Sequence, residues 1–85
     1  MDKILRKKPK RKWEWREYQQ GCLIENGIAL NKTGTFVWKL CDGKKTVAEV
    51  VNRLVKEYDV EEKRAREDVA KLINLLKKEK ALELL

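Results

Sequence analysis

A change of hydrophobic period at Asn31 constrains the fold of this chain more than any other feature. Before it, apolar residues come in short runs with the two-residue alternation of half-buried strands. After it, they recur every three or four residues, as on helices. Lys12-Trp13-Glu14-Trp15-Arg16 puts Trp13 and Trp15 on one face and Glu14 and Arg16 on the other. Cys22-Leu23-Ile24-Glu25 and Ile28-Ala29-Leu30 are separated by Asn26-Gly27, two residues that both tolerate positive φ and so predict a hairpin. A hairpin alone is marginal, so these three strands need helices over their apolar face.

The helices follow in order. Asn31 can cap a first helix over about residues 32 to 41, in which Thr33, Phe36, Val37, Leu40 and Cys41 share a face and Trp38 lies beside it. Asp42-Gly43 ends that helix. Thr46 and Glu49 have the spacing of a capping box, opening a second helix whose apolar face is Val47, Val50, Val51, Leu54, Val55 and Tyr58. A third helix runs from Asp59 to about Lys80 with Ala65, Val69, Leu72, Ile73 and Leu76 inward. The closing Ala81-Leu82-Glu83-Leu84-Leu85 fits either a last helical turn or a short strand. Trp13, Trp15, Trp38 and Tyr58 are assigned to the core, the usual place for aromatics at these spacings. The fold class is therefore α+β: a winged-helix-like domain of three N-terminal β-strands followed by three α-helices.

With 85 residues there is room for one domain and one small core. The formal charge of +7 is concentrated. Residues 1 to 12 carry seven Lys or Arg against one acid, while the rest carries 14 bases and 13 acids. Residues 1 to 11 thus read as a basic flexible head, and residues 12 to 85 as the single domain. Removing the head is expected to leave the domain's binding intact.

Enzyme chemistry finds little support. Histidine is absent, which removes the commonest general acid/base and the commonest metal ligand. No acidic pair sits isolated among apolar residues, and no Gly-rich phosphate loop occurs. Cys22 and Cys41 form no C-x-x-C unit and read as small reduced hydrophobes. Neither a cofactor nor a metal is expected. No signal peptide or membrane span is legible, so the expected setting is cytoplasmic. These features favour a binding or adaptor module.

Leu30, Asn31, Thr33, Gly34, Val37, Trp38, Leu40, Asp42, Gly43, Thr46, Val47 and Glu49 form an ordered set. In this set the chain resembles the PqqD-like family, the small recognition domains of ribosomally synthesised, post-translationally modified peptide pathways. With Tyr58 and the third helix, the resemblance covers about residues 12 to 80. It implies a non-catalytic adaptor that binds the leader segment of a precursor peptide, held as an added strand beside strand three and over helix three. It also implies a maturation enzyme as second partner, a radical S-adenosylmethionine enzyme or alternatively a leader peptidase.

Strand addition draws affinity from main-chain hydrogen bonds and selectivity from side-chain pockets. The expected peptide-binding residues are Ile28, Ala29 and Leu30 on the strand, with Asp68, Lys71, Leu75 and Lys78 along the third helix. Leu72 and Leu76 are placed at the groove floor. The competing reading is a winged-helix nucleic-acid-binding protein that uses the basic head. Helix two disfavours it, because Asn52, Arg53 and Lys56 are mixed with Glu49 and Glu57. Oligomerisation through an exposed strand remains open, since no residue pattern fixes the oligomeric state.

Overall fold

The computed structural model of the chain describes residues 2–85. Its elements are α1 (Asp2–Leu5), β1 (Pro9–Arg11), β2 (Trp15–Tyr18), β3 (Gly21–Ile24), β4 (Ala29–Leu30), α2 (Lys32–Leu40), α3 (Val47–Tyr58), α4 (Glu62–Lys78) and β5 (Leu82–Leu84). The α+β class holds, with an antiparallel meander β2-β3-β4 leading into the three expected helices. A second, two-stranded antiparallel sheet joins β1 to β5. The expected strands two and three are β3 and β4, and the expected third helix is α4.

The segment expected as a flexible head, residues 1 to 11, contains strand β1; Met1 lies outside the described residues. β1 is hydrogen-bonded along both edges. Toward β5, Lys8 and Leu85 exchange two backbone bonds of 2.9 Å, and the Lys12 N–H donates to Ala81 O at 2.9 Å. Toward the turn after α2, the Gly43 N–H donates to Pro9 O at 2.8 Å and the Arg11 N–H to Cys41 O at 3.1 Å. Pro9 is buried at the start of the strand, a position where its missing N–H is tolerated. Gly43, with φ of +79°, lies under the aliphatic stem of Lys10, which a Cβ there would meet at 3.3 Å. Arg11 donates from Nη1 to Trp38 O at 2.9 Å and Lys39 O at 2.7 Å, so its cation closes the carbonyl end of α2.

The local signals read from sequence behave as expected at the helix starts. The Gly34 N–H donates to Asn31 Oδ1 at 2.8 Å. Thr46 and Glu49 complete the reciprocal capping box of α3. The hairpin differs in detail. Its loop is Glu25-Asn26-Gly27, with the Gly27 N–H on Ile24 O at 2.8 Å, and of the Asn-Gly pair only Gly27 has positive φ, +102°. This is the three-residue loop in which a glycine relieves the extra residue, not the two-residue turn.

Two core assignments change, and the open reading of the C-terminus is resolved. Trp38 is fully buried in the core, not beside it, because its helix α2 packs against both β3 and α3. Trp13 lies outside β2 and is 45% exposed, its indole N–H donating to Lys80 O at 3.0 Å. The C-terminal residues resolve into strand β5, whose Leu82 is buried. The rest of the core includes Ile24, Val37, Val47, Val50, Leu54, Val69, Ile73 and Leu76, drawn from the sheet's inner face and all three long helices.

Candidate functional site

β4 is an edge strand, paired with β3 alone. Its register opposes Leu23 to Ala29 and Cys22 to Leu30. The Ile24 N–H donates to Ile28 O at 2.8 Å, so the hydrogen-bonded pairs fall at Ile28 and Leu30. Antiparallel alternation then turns the N–H and C=O of Ala29 away from β3, toward the open edge. Ala29 is exposed, Ile28 half-buried, and Leu30 buried.

This edge runs alongside α4. At one end the hairpin tip is tied down, Asn26 Nδ2 donating to Glu79 O at 3.4 Å. At the other end, Asn31, Thr33, Gly34 and Val37 meet Asp68 and Leu72 of α4 around an open recess of about 340 Å³. Asp68, Leu72, Leu75 and Glu79 follow one another at spacings of four, three and four, so they form one stripe of α4 from the recess to the hairpin tip. Leu75, in the middle of that stripe, is 49% exposed.

The expected site residues therefore divide. Asp68 and Leu72 line the recess, while Ala29 and Leu75 are exposed on the β4 edge and the α4 stripe. Leu76 and Leu30 are corrected to core residues, at 0% and 8% exposure, so their side chains are unavailable to a ligand; Leu30 keeps only its place in the strand. Ile28 packs partly against the same core. Lys71 and Lys78 are exposed one position off the stripe, and Lys71 borders a charged hollow that Asp68 shares with Glu61, Lys63, Arg64 and Glu67. Asn31, Thr33, Gly34 and Val37 were missed as lining residues. Their signal was present, since all four belong to the ordered motif, but helix capping and core packing gave each a sufficient local explanation.

A family model described as coenzyme PQQ synthesis protein D (PqqD) matches residues 22–82. The chain belongs to the PqqD family. The protein named "PqqA binding protein" from Methylococcus capsulatus (strain Bath) is 34% identical over 61 residues, covering 68% of this chain. The aligned region is 66% of that relative, so the chain spans just under two thirds of its length. No solved structure matches the chain. The PqqD match takes in β3, β4, the recess and all of α4, and so contains the whole channel.

Elsewhere in this PqqD-family chain, reactive groups are quiet. Among the described residues, no cluster of three or more His, Cys, Asp or Glu is placed to hold a metal, and no helix is long and apolar enough to cross a membrane. Lys45 Nζ and the Lys44 N–H, at 2.8 and 2.9 Å, hold the Asp42 carboxyl far below the usual carboxylate range. Cys22 and Cys41 are buried free thiols. Burial pushes the Cys41 thiol up to about 12, with Arg11 opposing the shift. The thiolate is the reactive form, so a thiol whose pKa is raised this far stays protonated at neutral and mildly alkaline pH. With a thiol-specific chromogenic disulfide at pH 8, the native chain should react at neither cysteine, and the denatured chain at both; rapid labelling of native Cys41 would contradict the buried geometry.

Proposed function

We propose that this chain is a non-catalytic adaptor that binds the leader segment of a ribosomal precursor peptide and presents it to a maturation enzyme. The leader lies as an added strand on the open edge of β4, with its side chains over the α4 stripe. The observation that carries this reading is the outward-facing backbone of Ala29 on the free edge of β4, with the recess at Asn31 and Leu72 where that strand ends and Leu75 exposed on the α4 stripe. Membership of the PqqD family and a relative named for binding PqqA support a peptide as the ligand. Main-chain bonds to Ala29 set the register, and the recess takes an apolar leader side chain. The frame is winged-helix-like, the setting cytoplasmic, and the enzyme a radical S-adenosylmethionine enzyme or alternatively a leader peptidase. Holding the leader raises the effective concentration of the attached core segment at that enzyme, which requires no catalytic group in the adaptor.

Titrating the leader peptide encoded beside this gene into isotopically labelled protein tests the reading by backbone chemical shifts. Saturable perturbations should centre on residues 28 to 34 and on Asp68, Leu72 and Leu75. Ala29→Pro removes the outward N–H while leaving the β3 bonds, a substitution that an edge strand accepts. It should abolish binding with little change in melting temperature. Leu75→Glu, on an exposed position, should weaken binding by about tenfold, the equivalent of ~1.4 kcal/mol. Full binding by both variants would remove strand addition at β4 as the mechanism.

A further inference from the structure

The basic segment, once folded into β1, becomes a fixed surface with its own use. Lys8 and Lys10 point to the side of β1 opposite buried Pro9. Lys44 adjoins them, because the Lys10 stem covers Gly43. Arg6 and Lys7 lead into the strand, and the Val47 N–H donates to Lys7 O at 2.9 Å, which fixes this corner against the start of α3. All five cations are exposed, and none is in an ion pair among the described residues; the four such pairs involve Lys39, Lys45, Arg64 and Arg66. This end of the molecule meets the C-terminus of α2 and the N-terminus of α3. The recess opens at the opposite ends of those helices, roughly 10 Å away along α2 at 1.5 Å per residue.

We infer that this β1–turn face docks an acidic surface of a protein partner, independently of the channel at β4. The partner's role as the maturation enzyme rests on the adaptor reading; the chemistry of the face does not. Two observations favour an acidic protein over a nucleic acid. Four of the five cations are lysines, compact point charges, whereas nearby Arg11, whose forked guanidinium suits phosphate, is engaged on the α2 carbonyls. Carboxylates are also interleaved: Glu83 stands opposite Lys10 in the sheet, and Asp42 and Glu49 lie on the adjoining turn and first helical turn. A polyphosphate strand would meet these negative groups with repulsion, while a protein surface can answer both signs.

The test uses the full chain at physiological salt, with oligoglutamate and a single-stranded DNA of equal formal charge as probes. Oligoglutamate should bind saturably and shift the amides of residues 6 to 10 and 43 to 45 while sparing Ala29 and Leu72. The charge-reversed K8E/K10E/K44E should bind it about tenfold or more weakly, and the neutral K8Q/K10Q/K44Q should fall between, with melting temperature and leader binding retained by both. Tighter binding of the DNA at this face, absence of saturable binding, or unchanged affinity in the charge-reversed variant would each overturn the inference. Failure of leader binding with oligoglutamate binding intact would instead remove the adaptor reading and leave this face standing.

Discussion

Deleting residues 1 to 11 is expected to abolish cooperative folding or to lower the melting temperature by about 20 °C or more. The deletion takes out the middle strand of a three-layered contact: β5 on one edge and the Cys41–Gly43 turn on the other. It breaks the Lys8–Leu85 exchange, the Gly43-to-Pro9, Arg11-to-Cys41 and Val47-to-Lys7 bonds, and the Arg11 closure of α2. At about 1 kcal/mol net for each lost bond, and more where a buried donor is stranded, the sum approaches the total stability of a small domain. Each kcal/mol lowers the melting temperature of a chain this size by about 4–8 °C. Thermal melts followed by circular dichroism decide it. A truncated chain melting within a few degrees of the full chain would restore the picture of a free head. The deletion also cannot measure the head's charge, because it removes fold and charge together; the lysine substitutions above separate the two.

Trp38→Ala should cost about 3–5 kcal/mol, the range for truncating a fully buried large aromatic. Trp38 has no solvent exposure and shares the core with residues from both the sheet and the helices, so no single neighbour can collapse into the space. Trp38→Phe should be much milder, about 1–2 kcal/mol. The Trp38 indole N–H is buried without a hydrogen-bond partner among the described residues, and phenylalanine removes that unpaired donor together with the lost volume. Denaturant unfolding of the three proteins checks the order. Equal losses for Ala and Phe would mean that the indole N–H finds a partner, or that the ring's full outline is required.

Sequence was most informative where a signal and its partner lie within a few residues. The Asn31 cap reaches Gly34, and the Thr46–Glu49 box closes over three residues, so both were legible from spacing alone. The hairpin was legible from Asn26-Gly27, but its loop length was not, because one extra residue in the loop leaves the apolar alternation on either side unchanged. β1 escaped notice because Pro9-Lys10-Arg11 lacks a strand's apolar pattern, and its partners Leu82 to Leu84 lie at the far end of the chain. Trp38 was displaced from the centre for a similar reason. A helical wheel ranks one helix's own apolar residues, whereas Trp38 is enclosed by neighbours contributed from elsewhere.

The candidate site divides along the same line. Periodicity puts Asp68, Lys71, Leu75 and Lys78 on one stripe and Ile28 to Leu30 on one strand, but does not say which side chains the core claims. Leu76 and Leu30 went inward, while Leu75 and the Ala29 backbone remained open. By itself, then, the sequence determined the order of the meander and the three long helices, the capped starts of α2 and α3, and the family, since these depend on local hydrogen bonding and a short ordered motif. Tertiary structure alone decided that the basic segment is a strand, that β4 has a free edge aligned with α4, and that a recess opens at their junction. Each of these is a contact between segments far apart in the chain, whose closure depends on the packing of the whole core and leaves no local trace in the residues that make it.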